Sequence, residues 1–199
     1  MTRRLTQLFA GLILYGISLA FMLRAGLGLA PWDVLHQGLA QITGATVGTM
    51  VIVVSFVVLL LWIPLRQPPG FGTFANAVVV GLVVDVTLMV IDDVDSFVLR
   101  VLLLVSGVLL NGLATALYIG ASLGPGPRDG LMTGLVRRTG RSVRLIRTTL
   151  EVTVFAAGWF LGGTVGVGTL LYAFAIGPIA QLLLPRLTVK PTTPARTTR

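Results

Sequence analysis

The chain alternates long apolar runs with short polar or glycine-rich segments. A helix needs about 20 apolar residues to cross a bilayer core of about 30 Å. Six runs close to that length occur, at residues 8–23, 48–65, 73–91, 97–119, 145–163 and 168–184. The pattern therefore predicts an all-α protein, a polytopic membrane helix bundle with about six transmembrane helices.

Two further segments, residues 31–42 and 127–138, have helical patterns but are too short to span the membrane, at roughly 18 Å each for a rise of 1.5 Å per residue. In the first segment Pro31 stands in the first turn and Gly44 follows as a stop signal. Pro127 and Gly140 repeat this arrangement in the second. Each segment is predicted to be either a re-entrant half-helix or an amphipathic helix lying at the membrane interface.

The sequence also contains an internal repeat with an offset of 96 residues. Around the first short segment the recurring residues are Gly28, Pro31, Asp33, Leu35, Gly38 and Leu39, which match Gly124, Pro127, Asp129, Leu131, Gly134 and Leu135. The same difference (124 minus 28, 129 minus 33) relates glycines and threonines upstream and downstream of this segment. A match without gaps over roughly seventy positions indicates a duplication.

Each copy holds three predicted spans, in residues 1–96 and 97–185, and a basic tail follows at residues 186–199. Because three crossings leave the chain on the opposite side, the second copy must enter the membrane inverted. The predicted fold is thus a 3+3 inverted-topology repeat with short re-entrant or interfacial helices, an arrangement that recurs in secondary transporters. The tail is predicted to be disordered and to contact anionic lipid headgroups.

Composition agrees with membrane residence, and the distribution of charge predicts the orientation. Apolar residues make up 55% of the chain and charged residues 11%, with a formal net charge of +8. If the spans alternate, one side receives the N-terminal arginines, the basic tail and a cluster formed by Arg128, Arg137, Arg138, Arg141, Arg144 and Arg147. The positive-inside rule therefore predicts that both termini are cytoplasmic. No basic motif interleaved with aromatic residues is present, so we expect no nucleic-acid partner.

Asp33 and Asp129 lie in the first turns of the two short segments, and two interpretations of them stay open. A carboxylate there interacts favourably with the helix dipole and free N–H groups, which is sufficient as a sole role. Alternatively, the glycine-rich approaches at Gly28 and Gly124 let the backbone come close to a ligand. A half-helix N-terminus that faces a cavity can bind an anion or, with its aspartate, a cation or an amine.

Four more polar residues complete the candidate substrate-binding set, namely His36, Asn76, Asp85 and Asn111. Polar groups within the hydrocarbon are costly, so they are expected to face the interior of the bundle. Asp85 lies far along its span, however, and placement at the outer interface is an equal alternative. His36 is the only histidine, and a proton-relay role is one interpretation of it.

Familiar catalytic and cofactor motifs are missing from the sequence. There is no cysteine, which excludes disulfides, thiolate metal sites and cysteine nucleophiles. No nucleotide-binding P-loop, HExxH or GxSxG motif and no pair of catalytic carboxylates is recognisable. We therefore expect no enzymatic activity, no cofactor and no metal site.

Two stretches have a more specific character, Gly28-Leu-Ala-Pro-Trp-Asp-Val-Leu-His-Gln-Gly38 and Gly70-Phe-Gly-Thr-Phe-Ala-Asn76, the second followed by Gly81 and Asp85. At these stretches the chain resembles the YczE branch of the YczE/YyaS/YitT family of bacterial membrane proteins. The resemblance covers nearly the whole chain apart from the basic tail. It implies a multi-pass protein of the bacterial cytoplasmic (inner) membrane, and it brings no set of catalytic residues.

These observations lead to two functional hypotheses. The preferred one is a small secondary transporter or permease for an unknown small molecule or ion, with its site at the interface of the repeats. The alternative is a non-transporting membrane regulator or docking subunit that uses the arginine-rich cytoplasmic loop. Besides the lipid bilayer, a second copy of the chain is an expected partner, although six spans would suffice for a monomer.

Overall fold

The computed structural model describes residues 1–189, and this part of the chain forms eight helices. They are α1 (Thr2–Ala25), α2 (Pro31–Thr43), α3 (Val47–Leu65), α4 (Phe71–Val90), α5 (Phe97–Gly120), α6 (Pro127–Thr139), α7 (Val143–Phe160) and α8 (Val167–Leu187). Helix α8 thus continues into the predicted tail, and residues 190–199 lie outside the described residues. The prediction of an all-α helix bundle is confirmed.

The two short helices begin where the sequence predicts and end one residue later than predicted. Their first and last residues differ by the repeat offset (127 minus 31, 139 minus 43). Each starts with proline in its first turn and ends at a glycine C-cap, Gly44 or Gly140. Proline and glycine therefore define these boundaries, because proline is best tolerated in the first turn of a helix and glycine readily adopts the left-handed conformation that ends one.

Within residues 1–189, five helices are long and apolar enough to cross a membrane, namely α1, α3, α4, α5 and α8. Helix α7, which contains the fifth predicted span, is shorter and carries Arg144, Arg147 and Glu151 in its first half. Many large apolar side chains point outward, and the most exposed of them include Phe160, Phe174 and Met89. An apolar outer surface of this extent is expected of a protein that faces lipid.

Helices α1 and α5 form the centre of the molecule and run antiparallel. At one end Nε of Arg100, in the first turn of α5, donates to the carbonyl of Ala25, 2.6 Å away. At the other end Nε2 of Gln7 donates to the carbonyl of Leu117 at 3.0 Å. Helix α4 packs on α1 and α8 packs on α5. We call the end of the molecule that holds Gln7 the N-terminal face and the opposite end the far face.

The two short helices pack on the opposite halves of the chain. Helix α2 packs on α7, and α6 packs on α3. In the second contact the Trp62 indole covers Gly130, where a Cβ atom would overlap the ring. In the contact of α2 with α7 the large and small residues are reversed. Gly158, the counterpart of Trp62, lies against the backbone of Val34, the counterpart of Gly130. Large and small residues thus alternate between the two contacts. Each short helix packs most extensively on the other half and less extensively on the helix that follows it in the chain.

The halves differ in how their last two helices pack. Helix α3 packs along α4, whereas α7 makes no comparable contact with α8 in the described chain. A Cβ atom on Gly48 of α3 would overlap the carbonyl oxygen of Gly81 of α4. At the equivalent positions of the second half, Arg144 is exposed and Gly177 has nothing within 4 Å of its position for a Cβ. Helices α7 and α8 therefore leave a gap where α3 and α4 touch.

Candidate functional site

Two loops bring the first turns of α2 and α6 to the middle of the molecule. The carbonyl of Leu27, in the loop before α2, accepts a 2.8 Å hydrogen bond from the amide of Gly168 in α8. The carbonyl of Leu123, in the loop before α6, accepts a 2.9 Å bond from the amide of Gly72 in α4. Donors and acceptors in these two bonds are related by the offset of 96 residues. Each loop is thus held by the first turn of the last helix of the other half.

Gly28 and Gly124 fix the course of these loops. Their φ angles are +117° and +126°, in a region that favours glycine. A Cβ on Gly28 would lie 2.7 Å from the amide nitrogen of Gly166, and one on Gly124 would lie 2.9 Å from the Cα of Gly70. Neither glycine lines the two central cavities described next. Their close approach is to the helices of the other half.

Two cavities are each lined by the first turns of both short helices. One, of about 50 Å³, lies among α1, α2, α3 and α4. The other, of about 270 Å³, lies between α7 and α8 and reaches Arg147 and Gln181, close to the N-terminal face. Both cavities are lined by Trp32, Tyr118, Arg128 and Asp129. We call them the narrow cavity and the wide cavity.

The walls of the two cavities are equivalent parts of the two halves. Residues that line the narrow cavity have counterparts 96 positions later that line the wide one. These pairs are Leu19 and Thr115, Trp32 and Arg128, Asp33 and Asp129, His36 and Met132, Val51 and Arg147, Val54 and Leu150, Ser55 and Glu151, Asn76 and Tyr172, and Val80 and Ile176. The same site thus occurs twice, once small and once enlarged by the gap between α7 and α8.

Arg128 is the cation at the wall that the cavities share. Its guanidinium donates to the hydroxyl of Tyr15 and lies over the Tyr15 ring, 5.3 Å from the ring centre. No carboxylate among the described residues lies within 4.0 Å of it. This position differs from the sequence-based expectation, which grouped Arg128 with the exposed cytoplasmic arginines. The reason is that the loop before α6 carries the first turn of this helix into the interior of the bundle.

Tyrosine side chains surround this arginine. The protein has three tyrosines, and all of them line a cavity. Tyr118 donates from its hydroxyl to Asp129, and its ring meets that of Tyr15 edge to face at 6.2 Å. Tyr172 donates to Oδ1 of Asn111 at 3.1 Å. The polar groups of the site are thus mounted on α1, α5 and α8 as well as on the short helices.

Asp33 and His36 are buried beside the narrow cavity. Asp33 is 2% exposed and His36 is 7% exposed. Nδ1 of His36 lies 3.4 Å from Oδ1 of Asp33 without a hydrogen bond of good geometry, and Oδ2 of Asp33 has no partner. An unpartnered buried carboxylate oxygen is costly, so it is expected to meet a donor that enters the cavity.

The amide candidates occupy two different places. Asn76 lines the narrow cavity. Asn111 is fully buried, and its Nδ2 donates to Oγ of Ser18 at 2.8 Å while its Oδ1 accepts from Tyr172. Asn111 therefore links α1, α5 and α8 and orients a tyrosine of the wide cavity without lining it.

Asp85 lies outside the cavities, near the far face. Its carboxylate accepts from the hydroxyl of Thr46 at 2.6 Å and from the amide of Gly48 at 2.8 Å. It thereby satisfies the first turn of α3 from a position on α4. Its counterpart, Gln181, lines the wide cavity and forms no hydrogen bond within the described chain. Asp85 is thus a clamp between α3 and α4 on the far side of the narrow cavity.

Sequence reasoning reached Asp33 and Asp129 through the repeat but missed Arg128 and the tyrosines. The repeat directs attention to identical residues, whereas the centre of the site joins unlike counterparts such as Trp32 and Arg128. One available signal was the position of Arg128 directly after Pro127, in the first turn of a half-helix. A charged residue in that turn lies as deep in the helix bundle as the neighbouring aspartate.

Comparison with known proteins assigns a family. Residues 2–185 match the model of DUF6198, described as a family of unknown function. An uncharacterised protein of Haemophilus influenzae is 37% identical over 92% of this chain and 84% of its own length. The "uncharacterized membrane protein YczE" of Bacillus subtilis is 35% identical over 92% and 86%, and YyaS of the same bacterium is 25% identical over 88% and 89%. No solved structure matches the chain. The chain belongs to the DUF6198 family and is a YczE-like bacterial membrane protein.

Proposed function

We propose that the protein is a small secondary transporter that opens one central site to one side of the membrane at a time. The observation that carries this proposal is the pair of equivalent cavities, one narrow and one wide, that meet at Arg128 and Asp129. A duplicated site in an antiparallel pair of halves can exchange the conformations of the halves and so alternate its access. In the described state the path between α7 and α8 is wide.

The contacts at the two ends of the site support closure toward the far face and opening toward the N-terminal face. Toward the far face, the contact of Gly48 with Gly81 and the bonds of Asp85 hold α3 against α4. Toward the N-terminal face, exposed Arg147 and Gln181 line the wide cavity. If both termini are cytoplasmic, as the arginine distribution predicts, this state is open to the cytoplasm and closed to the outside.

The absence of cysteine allows a direct test of alternating access. Val51 and Arg147 are counterparts that line the narrow and wide cavities, and Val51 is 5% exposed. We expect Arg147→Cys to react rapidly with an impermeant maleimide applied to inverted membrane vesicles. We expect Val51→Cys to react slowly and only from the other side, with both rates changing in opposite directions when a transported solute is added.

The effect of the exposed arginines on cysteine labelling distinguishes transport from the docking alternative. A docking subunit needs exposed charge on its soluble surface, and Arg137, Arg138 and Arg141 are exposed. Replacing one of these arginines at a time by glutamine keeps most of the positive charge that orients the protein, and it should leave the labelling of both cysteines unchanged if the protein alternates between states. Labelling of Val51→Cys and Arg147→Cys from one side only, unaffected by any solute, would instead argue for a static membrane protein and favour the docking role.

A further inference from the structure

The charged groups around the two cavities are of both signs. Asp33, Asp129 and Glu151 supply three carboxylates, and Arg128 and Arg147 supply two guanidiniums, but Arg147 and Glu151 are partly exposed and pair with each other. Two carboxylates and one guanidinium therefore remain without an ion-pair partner of good geometry. Arg128 makes one side-chain hydrogen bond within the described chain, to Tyr15. A guanidinium has several N–H donors in a planar fork that suits a carboxylate. Most of the donor capacity of Arg128 is therefore left for a ligand in the cavities that it lines.

Two buried polar atoms of the site also lack hydrogen-bond partners. Oδ2 of Asp33 is buried and has no partner, and Nδ1 of His36 beside it is likewise unpartnered. Both side chains are more than nine-tenths buried and line the narrow cavity. An ammonium group offers three N–H donors and a positive charge, which is what an unpartnered buried carboxylate lacks.

Ligands of a single charge fit this set poorly. An anion would pair with Arg128 but would also face two carboxylates, and a cation would pair with the carboxylates but would face the guanidinium. Interactions between charges are strong in a site that excludes water, so either mismatch is costly. The cavity volumes of about 50 and 270 Å³ lie below the range of about 300–1,000 Å³ typical of sites for drug-sized ligands, which restricts the ligand to small molecules.

We infer that the central site binds a small zwitterion with one carboxylate and one ammonium group, of the α-amino acid class. The carboxylate pairs with Arg128, and the ammonium group pairs with Asp33. The aromatic side chains of Trp32, Tyr15 and Tyr118 enclose the remainder. As a statement about the transported substrate this inference rests on the proposed function, whereas binding can be measured without transport.

The test is a binding series on the full-length protein purified in detergent. The probes are glycine, alanine, leucine and phenylalanine, each compared with the amine that lacks its carboxylate and the acid that lacks its ammonium group. For alanine these analogues are ethylamine and propionate. We expect at least one amino acid to bind by calorimetry about tenfold or more tightly than both of its analogues.

Two variants assign the charges. Arg128→Gln should weaken binding of that amino acid about tenfold or more and abolish its preference over the amine. Asp33→Asn should abolish its preference over the acid. The exposed Arg138, which lines neither cavity, provides the control, and Arg138→Gln should leave the affinities unchanged. The comparison of analogues on the unmodified protein holds even if a variant fails to fold.

The inference is overturned if no amino acid of the series binds, or if a singly charged analogue binds as tightly as its amino acid. The proposed function is tested separately, by measuring transport in proteoliposomes. An amino acid that binds but is never moved across the bilayer contradicts transport and leaves the ligand class standing. Transport of another solute by a protein that binds no amino acid would support the proposed function and contradict the inferred ligand class.

Discussion

Replacing Asp85 with alanine is expected to open the narrow cavity toward the far face. The change removes both acceptors of the clamp, the one for Thr46 and the one for the amide of Gly48. Hydrogen bonds to a charged group contribute about 1.5–3 kcal/mol each when buried, and partial exposure of this pair reduces their sum to about 2–3 kcal/mol. The population in which α3 and α4 separate should therefore rise by a factor of about 30 to 150.

The measurement is the rate at which an impermeant maleimide labels Val51→Cys, applied from the side opposite the N terminus. The matched control is Gln181→Ala, because Gln181 occupies the equivalent position and forms no hydrogen bond in the described chain. We expect this control to leave the rate within about twofold of the parent protein. An unchanged rate in Asp85→Ala would show that the clamp does not hold the cavity closed.

Substitution of Gly28 or Gly124 by alanine is expected to destabilise the fold without acting on ligand binding directly. A residue other than glycine at their φ angles of +117° and +126° is strained, and the added Cβ meets backbone at 2.7 and 2.9 Å. Strain of about 1–3 kcal/mol and overpacking of about 1–3 kcal/mol together predict a loss of roughly 2–5 kcal/mol in the free energy of unfolding.

Gly44→Ala separates backbone strain from overlap. Gly44 also has a positive φ, of 71°, but nothing lies within 4 Å of the position of its Cβ. We expect a loss of about 1–2 kcal/mol there, from the left-handed backbone alone. Thermal denaturation of the purified proteins in one detergent compares the three variants. Equal losses in all three would contradict the role of Gly28 and Gly124 in packing the loops against α8 and α4.

Local rules were enough to predict the short helices, because proline and glycine act on the backbone within one turn. The ends of the spans were less predictable. Helix α1 begins at Thr2, well before the predicted apolar run, since a helix continues through polar residues once it has formed. Helix α7 showed the limit of hydropathy, because its charged first half faces the wide cavity and the N-terminal face rather than lipid.

The centre of the site depended on long-range packing that no local pattern reveals. The convergence of Asp33 and Asp129 follows from the repeat only when both short helices are re-entrant, and the sequence left an interfacial placement open. Tyr15, Tyr118 and Tyr172 lie in apolar helices where nothing in their neighbours marks them as polar contacts. The sequence gives a partial indication of the gap between α7 and α8. Arg144 and Gln181 stand at the positions equivalent to Gly48 and Asp85, which join α3 to α4.

The exchange of short helices between the halves has a consequence for biosynthesis. Helix α2 is complete 100 residues (143 minus 43) before its partner α7 begins to emerge. At a synthesis rate of about 5–20 residues per second, the nascent chain carries α2 with its contact to α3 but without α7 for roughly 5–20 s. During that interval the carboxylate of Asp33 lacks the protein surroundings that bury it in the finished molecule. The ribosome-bound intermediate is therefore the form of this protein most dependent on insertion machinery and most open to membrane proteases.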